Sequence, residues 1–151
     1  MSLKNSNASK KTHKFLLNKL KDRRTLKIYK KFEGELRINK NFIVAVSGGP
    51  DSLALSFLSK IYSIKKSLEA KYFIVDHGLR KNSKSEAKNV QKKLKNFSIK
   101  LNILTWRGFK PKKNIQSVAR EKRYELLCDR AKKYRIENIL VGHHLDDLFE
   151  N

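Results

Sequence analysis

The sequence predicts an α/β protein with a Rossmann-like parallel sheet and helices on both faces. Three observations predict it. Short apolar runs and amphipathic helical patterns alternate four times along the chain, which is the grammar of a parallel sheet built from right-handed crossovers. The runs are apolar throughout rather than alternating, as expected of strands covered on both faces. The glycines, histidines and paired acids cluster at the ends of these runs, where ligands bind in open α/β sheets.

The elements follow in order. Residues 1–40 read as a basic N-terminal helical extension and 41–151 as the α/β domain. Residues 1–9 are polar and predict disorder. From Thr12 to about Glu33, Phe15, Leu16, Leu20, Ile28 and Phe32 recur at loosely helical spacing, predicting one or two amphipathic helices. Phe42-Ile43-Val44-Ala45-Val46 is the first strand. Asp51 to Ile64 is a helix with Leu53, Leu55, Leu58 and Ile61 facing inward. Tyr72-Phe73-Ile74-Val75 is the second strand, ending at Asp76-His77-Gly78. Ser83-x-x-Glu86 is a capping box opening a helix to about Phe97. Residues 100–105 form the third strand, ending near Trp106. Residues 107–114 are a basic loop. Ile115 to Tyr134 is a long helix with Val118, Ala119, Leu126 and Leu127 inward. Asn138-Ile139-Leu140-Val141 is the fourth strand, running into Gly142-His143-His144-Leu145-Asp146-Asp147. A strand order 3-2-1-4 would put the reversal between the first and fourth strands. The segments at 47–52 and 142–147 would then face each other across one cleft.

The most informative segment is Ser47-Gly48-Gly49-Pro50-Asp51-Ser52, between the first strand and its helix. Glycines accept backbone angles closed to other residues and let a ligand approach the main chain. The N–H groups opening the helix, and its dipole, favour an oxyanion. A phosphate or pyrophosphate is the expected guest, and a nucleotide the expected ligand. The common ATPase loop is excluded, because it needs a Gly-Lys-Ser/Thr and no lysine lies between Ser47 and Lys60. The dinucleotide fingerprint is excluded too, because it needs a third glycine.

Composition narrows the partners. The net charge is +22, from 36 basic and 14 acidic residues. It is segregated: residues 81–113 carry 11 basic side chains and 1 acidic one, whereas 137–151 carry four acids and no Lys or Arg. A charge of that size predicts a polyanionic partner such as RNA. Lysine-rich codon bias is the bland reading of the same numbers. The single cysteine, Cys128, excludes an internal disulfide and a Cys-pair metal site, and its place beside Leu126 and Leu127 predicts a buried, inert thiol. No stretch approaches the ~18 apolar residues of a membrane span. The expectation is a cytoplasmic protein with no membrane partner.

Four motifs then occur together: the Ser47–Ser52 loop, Val75-Asp76-His77-Gly78-Leu79-Arg80, Ala119-Arg120-x-x-Arg123-Tyr124, and Gly142-His143-His144-Leu145-Asp146-Asp147. The set resembles the N-terminal, pyrophosphate-loop domain of the tRNA(Ile)-lysidine synthetases, over about residues 40–151. The resemblance implies an adenine nucleotide alpha hydrolase-like fold. It also implies ligation of free lysine to the 2-position of the wobble cytidine of a CAU-anticodon tRNA(Ile), through an adenylated base. ATP and Mg²⁺ are the cofactors implied, and tRNA(Ile), free lysine and a second copy of the chain the expected partners.

Roles carry over residue by residue. Ser47, Gly48, Gly49, Pro50 and Ser52 would hold the nucleotide's phosphates, with His77, Gly142 and His143 also on ATP. Asp51 makes sense as a Mg²⁺ ligand, with Asp147; the alternative for Asp51 is a helix cap. Asp146 and Asp147 would hold the same ion, orient the lysine ammonium, or simply open an acid-rich helix. Arg120, Arg123 and Tyr124 share a helix face. Arg120 is assigned with Asp51, Asp146 and Asp147 to catalysis. Arg80, Arg123, Tyr124 and His144 are assigned to tRNA or phosphate contact, with a solvated basic face as the alternative. The three histidines stand equally between ligand contact and structural roles. Trp106 and Phe109 are assigned to core or loop packing rather than to stacking on a flipped base. Leu148 stands where the family commonly has glutamine. In the family the domain continues past Glu150-Asn151, so the chain is expected to be a piece of a longer enzyme that exposes hydrophobic surface where further helices pack.

Overall fold

The computed structural model describes residues 3–142. A helical hairpin comes first: α1 (Leu3–Asn18), a short 3-10 turn (Lys19–Lys21) and α2 (Arg23–Glu35). Residues 3–9 are therefore helical, not disordered as their polarity predicts. Asp22 caps α2 with its carboxylate, accepting from Thr25 N at 2.7 Å. Then follow β1 (Phe42–Val46), α3 (Pro50–Lys66), β2 (Ala70–Asp76), α4 (Ser83–Lys95), β3 (Leu101–Thr105), α5 (Ile115–Tyr134) and β4 (Asn138–Val141). The sheet order is β3-β2-β1-β4, and the pairings are parallel. This is the expected order, with the reversal between β1 and β4.

Both faces of the sheet are covered, which explains the unbroken apolar strands. Phe42, Val44 and Val46 face one side with Tyr72, Ile74 and Leu101. They pack against Leu16, Tyr29, Ile61, Tyr62 and Leu94 from the helices. Ile43, Phe73 and Leu104 face the other, against Leu127 and Ala131 of α5. The N-terminal hairpin thus contributes Leu16 and Tyr29, both fully buried, to the same core as β1.

Three local readings are corrected. The most deeply buried stripe of α3 is serine: Ser52, Ser56, Ser59 and Ser63, at successive turns of one face. Small side chains let the helix sit close to the sheet. Ser56 and Ser63 return their hydroxyl protons to the carbonyls of Ser52 and Lys60, at 2.7 and 2.9 Å. Ile61 is buried as expected, and Leu53, Leu55 and Leu58 flank the core half-buried. The capping box does not form: Asn82, not Ser83, precedes α4, and its side chain makes no cap bond. Cys128 is exposed, not buried, because the buried line of α5 runs through Ala119, Leu127 and Ala131.

Tyr72 supplies a stability test. It is 2% exposed, and its hydroxyl has no hydrogen-bond partner among the described residues. Burial pushes its pKa up, away from the charged form. An orphaned buried hydroxyl costs ~1–3 kcal/mol. Tyr72→Phe is therefore expected to leave the fold intact and raise Tm by a few degrees. A lower Tm by thermal melting would show that the hydroxyl is bonded.

Candidate functional site

The glycine loop is held by one side chain. Ser52, 2% exposed, donates its hydroxyl to Gly49 O at 3.0 Å and accepts from Ser47 N at 3.2 Å and Gly48 N at 3.1 Å. Ser47 Oγ approaches the same oxygen at 3.1 Å. Ser52 therefore staples the loop from within. Pro50 stands at the first turn of α3, where no N–H is needed. Leu53 N is bonded to Gly49 O at 3.1 Å. Helix geometry leaves the amides of Gly49 and Ser52 without a carbonyl inside the helix, so these donors and the helix dipole face the loop mouth.

Gly48 has φ +92°, a conformation that L side chains rarely adopt, and a Cβ there would lie 2.9 Å from Val90 Cγ2. Gly142 has a different reason to be glycine. Its Cβ would stand 3.1 Å from Ser52 Cα and 3.2 Å from Ser52 N. The end of β4 is thus laid directly on the first turn of α3. Gly142 acts by close packing against the backbone of the loop's helix.

That packing decides where space remains. Among the described residues, the seam between β1 and β4 holds a cleft of only about 20 Å³, lined by Ser47, Ser52, Arg123 and Gly142 among others. The larger cavity, about 530 Å³, lies one strand over. It is bounded by the ends of β1 and β2 and by α4, and falls within the size range of small-molecule sites. The cleft expected at the reversal, between 47–52 and 142–147, involves residues 143–147, which lie outside the described residues. Ser47, Gly48, His77, Arg80 and Arg123 line the cavity, as do Asp76, Glu86 and Lys93. Three cations against two carboxylates suit an anionic guest.

The sequence-predicted residues therefore divide. Ser47, Gly48, His77, Arg80 and Arg123 are brought together. Arg123 borders both the cavity and the seam. Arg120 and Tyr124 are half-buried on α5 and line neither. Asp51 is exposed in the first turn of α3. His143, His144, Asp146 and Asp147, with the helix expected from Leu145 or Asp146, lie outside the described residues. Among the described residues no group of three His, Cys, Asp or Glu side chains forms a metal cluster. Mg²⁺ needs only one or two carboxylates beside phosphate oxygens, and Asp51 has the position for one. Sequence reasoning missed Lys93 and Glu86, since nothing local says that α4 walls the cavity. It also missed the second task of Asp76, whose buried carboxylate accepts from Gly78 N at 3.0 Å and shapes the turn after β2.

His77 is the electrostatic probe of the site. Its Nδ1 is buried without a hydrogen-bond partner among the described residues, and its ring meets Trp106 edge-on at 6.3 Å between centroids. Burial lowers its pKa most, and the nearby Arg123 and Lys110 lower it further, against the opposing pull of Asp76. The imidazole is neutral at pH 7. Because the folded pKa lies below the unfolded one, its contribution to stability is present above pH ~6.5 and is lost as pH falls through the folded value. The expected NMR titration midpoint of His77 is below that of a free histidine, and added nucleotide moves it upward. An unshifted midpoint would place His77 in open solvent.

Comparison with known proteins agrees with this geometry. The sequence profile of the PP-loop domain matches residues 17–151. The tRNA(Ile)-lysidine synthase of Lactobacillus gasseri is 40% identical over 114 residues, which are 75% of this chain and 26% of that protein. Those of Bradyrhizobium diazoefficiens and Bartonella henselae are 36% and 42% identical, over 80% and 74% of this chain and 34% and 23% of theirs. The chain thus spans about a quarter to a third of the length of the curated relatives it matches. Among solved structures, the U34-tRNA thiolase NcsA from Methanococcus maripaludis superposes with a TM-score of 0.71 at 19% identity. The match covers 83% of this chain and 48% of that one, a likeness of fold. The stapled glycine loop after β1, the 3-2-1-4 parallel sheet and the profile match over residues 17–151 together establish that the chain belongs to the PP-loop domain family.

Proposed function

We propose that this chain forms the ATP-handling part of a tRNA(Ile)-lysidine synthase, activating the wobble cytidine of a CAU-anticodon tRNA(Ile) for attack by free lysine. The observation that carries the reading is the stapled Ser47–Ser52 loop opening on a 530 Å³ cavity lined by Arg80, Lys93 and Arg123. Similarity to the lysidine synthases supports the substrate. The net charge of +22 supports an RNA partner, and the cytoplasm is the compartment where such a substrate is met.

In this reading the cytosine 2-oxo oxygen bonds to the α-phosphorus of ATP as the bond to the β-phosphate oxygen breaks, and pyrophosphate leaves. The lysine ε-amino nitrogen then bonds to C2 and loses a proton. The C2–O bond breaks, and AMP departs with the oxygen. Adenylation makes a poor leaving oxygen into a good one. The chain's residues supply position and charge. The amides at the start of α3 hold the departing phosphates. Arg123, between cavity and seam, offsets charge developing on the α-phosphoryl group. Neutral His77 lines the same cavity. Bound at Asp51 and Asp147, Mg²⁺ would supply charge neutralisation to the phosphates. His143 and Asp146 belong to the same proposal.

The test is pyrophosphate release from ATP in the presence of CAU-anticodon tRNA and lysine, with mass spectrometry of the tRNA. A tRNA gaining the mass of lysidine is the expected product. Asp51→Asn is expected to cut release by at least ~100-fold while leaving tRNA affinity within about twofold. RNA affinity with no release would make the chain a binding module. Equal turnover in variant and parent would remove Asp51 from the mechanism.

A further inference from the structure

The loop after β3, residues 107–114, is absorbed by none of the roles above, and Phe109 within it contradicts the expected packing. Its ring is 82% exposed, while its neighbour Trp106 is 7% exposed and packed on His77. Sequence hydrophobicity treats the two aromatics alike. The structure separates them into a buried anchor and a displayed ring.

The loop is fixed to the rim of the nucleotide cavity. Trp106 N donates to Asp76 O at 2.9 Å, which joins the start of the loop to the end of β2. Lys110 Nζ donates to Trp106 O at 2.7 Å and lies 3.8 Å from the centre of the Trp106 ring. These two bonds close a short turn, with Gly108 at φ +100°, and Phe109 stands on it between Gly108 and Lys110. Asp76 and His77, the residues that the anchor touches, line the cavity itself. Around Phe109 stand Arg107, Lys112 and Lys113, all exposed, with no acid between Arg107 and Asn114.

We propose that Phe109 is a stacking platform for an unpaired base of the RNA substrate, next to the base that enters the cavity, with Arg107, Lys112 and Lys113 on the flanking phosphates. A displayed ring among cations on an anchored turn is the device by which proteins hold single strands: each base offers a π-face, and the backbone offers charge. A duplex offers neither an open face nor a splayed base. The occupant is therefore a single-stranded loop. The proposal rests on the reading that this site handles RNA, and it adds which side chain orders the strand.

The test separates the two. Binding of a short single-stranded RNA carrying 2-aminopurine is measured at fixed ionic strength without ATP or lysine, beside a duplex of equal length. The parent chain is expected to quench the 2-aminopurine and to prefer the single strand. Phe109→Ala is expected to weaken single-strand binding about tenfold or more and abolish the quench, with the duplex unaffected. Phe109→Trp should restore both. Lys112→Ala should lower the salt dependence of binding by about one phosphate contact. Unchanged affinity in Phe109→Ala, equal loss on duplex, or a Trp variant as weak as alanine would each overturn stacking. A chain that binds through Phe109 yet releases no pyrophosphate keeps this inference and removes the ligase reading. Release that is indifferent to Phe109 does the reverse.

Discussion

Alanine at position 48 is expected to reduce ATP-dependent pyrophosphate release by more than about 100-fold. Gly48 lies at φ +92°, and an added Cβ would meet Val90 Cγ2 at 2.9 Å. Two separate costs follow. Holding a side chain in that backbone region costs ~1–3 kcal/mol. The steric contact adds to it, because Val90 is a stiff β-branched residue on the core face of α4. The loop relieves both by turning, and turning breaks the Gly48 N bond to Ser52 that holds the cradle's shape. Positioning losses of about an ångström cost catalysis on the order of 100-fold, while the sheet is untouched. Circular dichroism of the variant should therefore resemble the parent's. The double variant Gly48→Ala/Val90→Ala distinguishes the causes. Removing the valine methyls relieves the contact but not the backbone strain, so partial recovery is expected. Full activity in Gly48→Ala alone would mean that the loop's conformation is irrelevant to turnover.

Arg123→Ala carries the second large effect. This guanidinium lines both the cavity and the seam between β1 and β4, and it is one of the charges that depress His77. Removing a preorganised charge from a transferring phosphoryl group costs on the order of 10²–10³ in rate. The expected loss in pyrophosphate release is about 100-fold. A second readout comes with it: without the nearby positive charge, the His77 titration midpoint must rise toward the ordinary histidine value. Arg123→Lys should keep most of the effect on His77 and recover little activity, because lysine lacks the planar fork of donors. An activity loss with no movement of His77 would mean that the residue acts from outside the cavity.

The other site residues show how far local pattern reaches. Ser47 to Ser52 was legible because a strand, two glycines and a helix start are all local features. His77 followed from the end of β2, a boundary that hydrophobicity marks, and Arg80 from the motif resemblance. The position of the cavity was not legible. It depends on how the ends of β1 and β2 meet α4, contacts between separate elements. The intraloop bonding of Ser52 was hidden for a similar reason. A hydroxyl in a phosphate loop looks like a ligand donor, but here its proton has Gly49 O within 3.0 Å. Arg120 and Arg123 share a helix face by spacing, yet only Arg123 meets the cavity, because α5 turns Leu127 and Ala131 onto Ile43, Phe73 and Leu104 of the sheet, and that packing fixes which side chains reach the cavity.

The sequence by itself determined the alternating elements, the parallel sheet and an oxyanion loop after the first strand. Each rests on periodicity or on chain-local chemistry, and short-range geometry leaves few alternatives. Only the tertiary structure decided that serines rather than leucines line the sheet side of α3, that Cys128 and Phe109 face solvent, and that the nucleotide-sized space opens toward α4. Those outcomes depend on which surfaces meet and how closely. Contact distance between elements is a property of the packed whole, which residue spacing along one element does not encode.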